Sequence, residues 1–582
     1  MLNRKKLYST RPLRDLKDLL SQSIELFGNR PAFVKKSTDG VLSEITYNTF
    51  GNHVKALGTA LLDLGLKGKP IAVIGENRYE WCVTYLAVVN GVGTIVPLDK
   101  ELPVHDIINL LQQSSAEAVV FSGRCLNTVK EARKTVNSVL HWICMDDAGE
   151  EWSIPFSGLV AKGGQILASG SNEFDNLEID PDRAAILLFT SGTTGFAKGV
   201  MLSHRNICTV ITGVSATVKV TPDDRVLSIL PLHHTYECTL GFLTIIYSGA
   251  SIAFNEGLRH IAKNMKEYSP TILVTVPLLL ENVYNKVWSQ AGKQKGMKGK
   301  LLFGQVISGF LYHVLRIDIR RRLFDQIHEN FGGKLRLFIT GAAAIDPSVS
   351  KGLRKWGFSV LQGYGLTECS PLVAGNRDNA FRDSSAGIAI PGVEMKIHNP
   401  DKKGIGEIIV KGANVMLGYF NKLNETRRVL VDGWFHTGDL GKIDRKGFLY
   451  ITGRLKNVIV TKNGKNIFPE ELESYIKDSP FVGECIVYGE QDKESGETQV
   501  KVQIFPNLDA IREKLKNVNL SIDAEEIRNL IREVIKNVNR RLPLYKHIRF
   551  IILRDSEFEK TTSQKIKRYS QQLSCVKVEF PV

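Results

Sequence analysis

None of the eight cysteines forms a Cys-x-x-Cys pair, and they lie scattered without metal-ligand spacing. That argues against a zinc site and a disulfide scaffold and favours free thiols in a reducing compartment. Long apolar runs are also missing. The longest uncharged stretch, Cys238 to Asn255, is short for a membrane span, which needs about 20 apolar residues, and "YSGAS" interrupts it. It reads as a buried helix, a turn and a buried strand. The N-terminus is basic (Arg4, Lys5, Lys6, Arg11, Arg14) but lacks the apolar core of a signal peptide. A cytoplasmic protein is expected. No short-period repeat or low-complexity tract is present.

What is present is a chain of 582 residues, 43% hydrophobic and 24% charged, enough for two or more packed domains. Its formal charge of +15 points to anionic partners, whether phosphates, lipid headgroups or nucleic acid; a merely solvated basic surface is the plainer reading.

The first half alternates helix and strand patterns. Phe50, Val54, Leu57 and Leu61 recur at helical spacing over 46–64, "IAVIG" (71–75) is a short buried-strand run, and a helical stretch follows from Tyr79 to Val89. "TIVPL", "AEAVVF", "VLSIL", "SIAF", "TILVT" and "LRLFIT" continue the series. Apolar strands alternating with helices predict parallel sheets covered on both faces. After about Gly387 short strands and turn signals take over, with Asp444-Arg445-Lys446-Gly447 as a hairpin loop. From about Asn457 a mixed region begins. The expected fold is α/β: a large N-terminal domain, 1–455, of parallel αβ-layered sheets with a small β-rich subdomain at about 387–452, then a smaller α+β C-terminal domain, 456–582.

One stretch suits neither helix nor strand. "LLFTSGTTGFAKGV" (187–200) runs a buried-strand pattern into hydroxyls and glycines. Thr190, Ser191, Thr193 and Thr194 offer hydroxyl donors, Gly192 and Gly195 permit close backbone approach, and Lys198 adds an ammonium. Such a loop at the carboxyl edge of a sheet suits phosphate binding. It is not a P-loop: Ala197 precedes the lysine and Gly199 follows it, so no hydroxyl stands beside it for Mg²⁺.

"TSGTTGFAKGV" resembles the signature loop of the adenylate-forming enzymes, the superfamily of acyl-CoA synthetases, luciferases and peptide-synthetase adenylation domains. In that family's order follow "LPLHHTYE" (230–237), "TGAAA" (340–344), "QGYGLTE" (362–368), "GWFHTGD" (433–439), "GRLKNVIVTKNGKNIFPEELE" (453–473) and "KTTSQKIKR" (560–568). The resemblance covers nearly the whole chain. Ala197 replaces the family's usual proline and Gln564 its usual glycine.

The resemblance implies ATP-dependent activation of a carboxylic acid to acyl-AMP, then transfer to coenzyme A. Tyr364 offers a face to adenine, Thr367 a hydrogen bond to the α-phosphate, and Glu368 an oxygen ligand for Mg²⁺. Thr190 is implicated at the same metal. Asp439 can accept from both ribose hydroxyls, with Arg454 beside it. Gly341, Gln362 and Gly363 match positions that line the nucleotide, and His234 matches a histidine at the mouth of the acyl pocket. Lys565 matches the lysine over the reacting atoms in the first half-reaction, and Lys456 the hinge. The extra basic segment, Lys293 to Lys300 followed by "FLYHVLRIDIRRRLFDQI", resembles the layout of long-chain fatty-acid–CoA ligases. Arg316 and Arg320 to Arg322, beside Leu315, Ile317 and Leu323, suit an anionic membrane surface as well as an ordinary covering helix. No nucleic-acid partner is expected. A carrier-protein acceptor and an inactive fatty-acid-binding protein remain open alternatives.

Overall fold

The computed structural model describes residues 7–37, 39–146, 150–190, 198–294, 296–460, 466–491, 498–516, 521–522, 524–560, 566, 568 and 576–582. Two large sheets carry the N-terminal part. In the eight-stranded sheet the spatial order is Gly418–Tyr419, Lys198–Ser203, Ala184–Thr190, Gly93–Leu98, Lys69–Ile74, Ala118–Phe121, His141–Cys144 and Ile154–Pro155. The nine-stranded sheet runs Ile388–Ala389, Leu372–Gly375, Ser359–Gly365, Leu337–Thr340, Ile272–Thr275, Arg225–Ser228, Ser251–Phe254, Pro31–Lys36 and Leu42–Thr46. Both are parallel at the centre, as the buried apolar runs require. Both edges of the nine-stranded sheet and the Gly418–Tyr419 edge of the eight-stranded one are antiparallel, which the alternating pattern alone did not predict, while the Ile154–Pro155 edge stays parallel.

The stretch from Cys238 is buried helix, turn and strand. A π-helical turn over Glu237–Leu243 passes into Thr244–Tyr247, and the chain then enters the strand Ser251–Phe254. Among the described residues no helix is long and apolar enough to cross a membrane. The seven described cysteines are buried, and none of them is in a disulfide.

Residues 393–454 supply a five-stranded sheet, Val393–His398, Gly406–Gly412, Trp434–Ile443 and Leu430–Val431 in order, with Leu449–Arg454 beside Trp434–Ile443. Asp444 to Gly447 close the hairpin, the Gly447 amide donating to the Asp444 carbonyl at 2.9 Å. Beyond it lies a four-stranded sheet of Val482–Gln491, Thr498–Pro506, Ile548–Arg554 and Val576–Pro581. The helix Glu525–Asn539 buries Ile527, Ile531, Ile535 and Val538, one stripe at helical spacing, into the core of that sheet. By contacts the chain divides into two compact units. One is Met1–Met395, Val410–Phe435 and Asp444–Leu449; the other is Lys396–Ile409, His436–Ile443 and Tyr450–Val582.

A buried histidine ties the N-terminal helix Leu16–Phe27 to the strand that carries Lys198. His204 follows Ser203, the cap of the helix His204–Ser215, and its Nδ1 accepts from the Leu16 amide at 3.1 Å. Burial lowers its pKa to about 4, against the opposing pull of Asp15. Below pH 6.5 the unfolded chain takes up a proton that the folded imidazole refuses, so stability falls with pH and levels off near pH 4. The shift corresponds to about 3 kcal/mol of unfolding free energy. Urea midpoints measured across this window should fall more steeply for the wild type than for His204→Asn, which keeps an acceptor without the titration. Equal slopes would contradict this linkage.

Candidate active site

The hydroxyl-rich stretch begins in a hairpin. Ala184–Thr190 and Lys198–Ser203 pair antiparallel with Thr190 opposite Lys198. Lys198 therefore opens a strand rather than sitting within a loop, because Val200 and Leu202 need the buried face that this register gives them. The Thr190 hydroxyl donates to the Lys198 carbonyl at 3.4 Å. Ser191, Gly192, Thr193, Thr194 and Gly195 lie outside the described residues. Ala184–Thr190 runs parallel to Gly93–Leu98, so the hairpin stands at that sheet's carboxyl edge.

Gly418–Tyr419 adds a third antiparallel strand, fixed by a 2.7 Å hydrogen bond from the Phe420 amide to the Gly199 carbonyl. This pairing places Tyr419 between two predicted site residues. The Lys198 ammonium stands 4.8 Å from its ring centroid, and its hydroxyl donates to Glu368 Oε1 at 2.9 Å. Burial, then the Glu368 charge, raises the phenol's pKa above its ordinary 10, so it stays a donor. Sequence reading passed over Tyr419, which lies far along the chain with no local mark beyond the preceding glycine.

Glu368 sits in the 3₁₀ turn Thr367–Cys369, past the end of the strand Ser359–Gly365. Its carbonyl accepts from the Met416 amide at 2.8 Å. The same strand carries Gln362, Gly363 and Tyr364, the last paired with Ala374. Gln362 is buried and its Oε1 accepts from the Ile345 amide at 2.8 Å, which pins the loop after Thr340. In that loop a Cβ on Gly341 would stand 3.3 Å from the Tyr236 ring, and one on Gly363 would stand 2.9 Å from Leu372. Both positions are tight.

His234 ends a turn, its amide donating to Pro231 at 3.1 Å, and its ring centroid is 4.2 Å from that of His233. Of the two, burial holds the pKa of His233 well below the ordinary 6.5. Next to them Glu237 is fully buried. Its Oε1 accepts from the Ser228 hydroxyl at 2.6 Å, and burial pushes its pKa up to about 8, so it is a neutral acid at pH 7.

Asp439, Arg454 and Lys456 belong to the other compact unit. Asp439 is buried, and Arg454 Nε stands 2.8 Å from its Oδ1. Glu407 shapes the turn before it: one carboxylate oxygen accepts from the Gly438 amide at 3.0 Å and the other meets His436 Nδ1 at 2.7 Å. Gly438 has φ +70°, a left-handed conformation that glycine adopts without strain. Lys456 lies exposed in the 3₁₀ turn Leu455–Asn457, and Asn457 donates to Glu470 at 2.6 Å. Lys565 lies outside the described residues. Its neighbours Lys560 and Ile566 form an antiparallel bridge, Lys560 pairs with Glu484 and Glu557, and Arg568 holds the buried Glu473 at 2.5 Å.

Among the described residues no group of three or more His, Cys, Asp or Glu converges. Mg²⁺ takes one or two carboxylates and completes its shell with phosphate oxygens and water. Glu368, with Thr190 on the strand beside Lys198, fits that donor set.

A sequence profile described as AMP-binding enzyme matches residues 20–420. The chain belongs to the AMP-binding enzymes. A second profile, AMP-binding enzyme C-terminal domain, matches residues 471–565. This AMP-binding enzyme is 28% identical over 483 residues to the long-chain-fatty-acid–CoA ligase FadD15 of Mycobacterium bovis, covering 78% of this chain and 76% of that one. It is 27% identical over 604 residues to fatty acyl-CoA synthetase B of Dictyostelium discoideum, covering 95% and 88%. Among solved structures, the anthranilate CoA ligase AuaEII in complex with anthranoyl-AMP superposes with a TM-score of 0.73 over 96% of both chains at 20% identity, a likeness of fold.

Proposed function

We propose that this AMP-binding enzyme joins a long-chain fatty acid to coenzyme A at the expense of ATP. The acid's carboxylate attacks the α-phosphorus, pyrophosphate leaves, and the coenzyme A thiol then attacks the acyl-adenylate, releasing AMP and a proton. The observation that carries the reading is Tyr419 bridging Lys198 and Glu368, an ammonium for phosphate oxygens beside a carboxylate for Mg²⁺. The names of the ligase relatives support the substrate class.

In this reading Lys198, Thr190 and the 191–195 hydroxyls and amides bind the β- and γ-phosphates. Thr367 donates to the α-phosphate, and Tyr364, Gly341, Gln362 and Gly363 line the adenosine. Asp439 accepts from the ribose hydroxyls with Arg454 beside it. His234 borders the fatty-acid pocket. Glu368 and Thr190 would hold Mg²⁺, which would supply neutralising charge for the phosphates. Lys565 steadies the charge that develops at phosphorus. The C-terminal domain, 456–582, then turns about Lys456 and takes Lys565 away before the thiol arrives. The chain also meets an anionic membrane surface, which its basic excess supports.

The test is exchange of labelled pyrophosphate into ATP with Mg²⁺ and a panel of acids from acetate to oleate. Exchange that rises toward the long chains is expected. No exchange with any acid would overturn the enzyme reading, and exchange confined to short acids would overturn the substrate class.

A further inference from the structure

The helix Met297–Phe310 is built inside out for a protein in water. Its buried face carries Gly304, Gln305 and Ser308, and Gly304 lets it approach the fold so closely that a Cβ there would stand 3.2 Å from Leu323 and 3.3 Å from Phe324. Its outer face carries Phe303, Val306 and Phe310, which are 66%, 70% and 59% exposed. These recur at i, i+3 and i+7, one side of a helix. A helix that covers a soluble core does the reverse. The face continues through the π-helical turn Leu311–Leu315 to Ile317. Ten of the twenty-six large exposed apolar side chains among the described residues fall between Leu302 and Leu323, so this is one patch and not scatter. A contiguous apolar patch of that kind marks an interaction site.

Charge decides the occupant. No Asp or Glu occurs between Glu281 and Asp318, whereas Lys293, Lys298 and Lys300 lie exposed at the helix's amino end and Arg316 just past the turn. A second copy of the chain docked on this face would bring like charges together. An anionic bilayer meets both features, taking the apolar side chains among its acyl chains and the lysines among its headgroups. Two of the neighbouring arginines are engaged within the fold. Arg320 is paired with Asp318 at 2.6 Å and stacked on Tyr312, and Arg321 donates to the carbonyls of Gly333 and Leu335.

We infer that the outer face of Met297–Phe310, continued to Ile317, inserts into the surface layer of an anionic phospholipid bilayer and docks the enzyme where its fatty acid resides. The inference rests on the lipid-substrate reading for its purpose, yet its test reads binding alone, so the two can fail separately.

The full chain is floated with vesicles of phosphatidylcholine, with and without one-third phosphatidylserine. The wild type should bind the anionic vesicles. Phe303→Ser and Phe310→Ser should each lower the partition coefficient roughly tenfold or more at any salt concentration. Lys298→Gln and Lys300→Gln should each lower it roughly fivefold at low salt and little at high salt. Thermal midpoints, and pyrophosphate exchange with a water-soluble acid, should stay at wild-type values in all four variants. The inference is overturned if the wild type does not bind, or if the Phe variants bind as it does. It is equally overturned if the protein is a dimer that Phe303→Ser dissociates, because the face then belongs to a second copy.

Discussion

Lys565→Ala is expected to slow acyl-adenylate formation by about 10²- to 10³-fold, the usual effect of removing one charged group from a preorganised site. Given preformed acyl-adenylate and coenzyme A, the same variant should form thioester at close to the normal rate. The asymmetry follows from the proposed rotation, which withdraws the lysine between the two steps. Lys456→Pro should behave in the opposite way. It fixes φ at an exposed position of the Leu455–Asn457 turn, so adenylate still forms and thioester formation lags. Both half-reactions are measured by quenched single turnover for both variants. If Lys565→Ala slows the two steps equally, the lysine supports the fold or the domain does not turn.

Glu368→Ala should lower adenylate formation by about 10²-fold or more while leaving the thermal midpoint near that of the wild type. Tyr419→Phe keeps the ring beneath Lys198 and removes only the hydroxyl that holds Glu368. It should raise the metal concentration needed for half-maximal rate by roughly tenfold, as losses of a partner behind a metal ligand do. Paramagnetic titration with Mn²⁺ and a non-hydrolysable ATP analogue reads the same site without turnover. It should show weaker binding in Tyr419→Phe and still weaker binding in Glu368→Ala. A rate for Glu368→Ala within about threefold of wild type, less than a kcal/mol of barrier, would remove the carboxylate from the site.

Much of the architecture was legible because burial writes itself into local pattern. "IAVIG" and "AEAVVF" became the buried strands Lys69–Ile74 and Ala118–Phe121, and the spacing of Phe50, Val54, Leu57 and Leu61 became the helix Tyr47–Asp63. Even the uncharged stretch from Cys238 read correctly, since a turn at Ser248 to Ala250 separates its helix from its strand. What stayed hidden depends on partners distant in the chain. Register alone puts Lys198 on a strand opposite Thr190. Tyr419 meets Lys198 only because a two-residue strand pairs with Lys198–Ser203. In the basic segment, periodicity gives an amphipathic helix but not which side faces the fold. That choice goes with Leu323 and Phe324, against which the helix packs closely at Gly304.

The order of strands in the nine-stranded sheet has a consequence for how the chain is made. Pro31–Lys36 and Leu42–Thr46 leave the ribosome before every other strand of this sheet, yet the neighbour that completes their side of it is Ser251–Phe254. At 5–20 residues per second that partner follows roughly 10–40 s later. Throughout that interval Ala32, Phe33 and Val34, all buried in the finished fold, have no sheet to join. The eight-stranded sheet has Lys69 through Ser203 in hand before Ser251–Phe254 is made. Vectorial synthesis therefore favours the eight-stranded sheet to form first, with the Pro31–Thr46 hairpin as a waiting apolar edge.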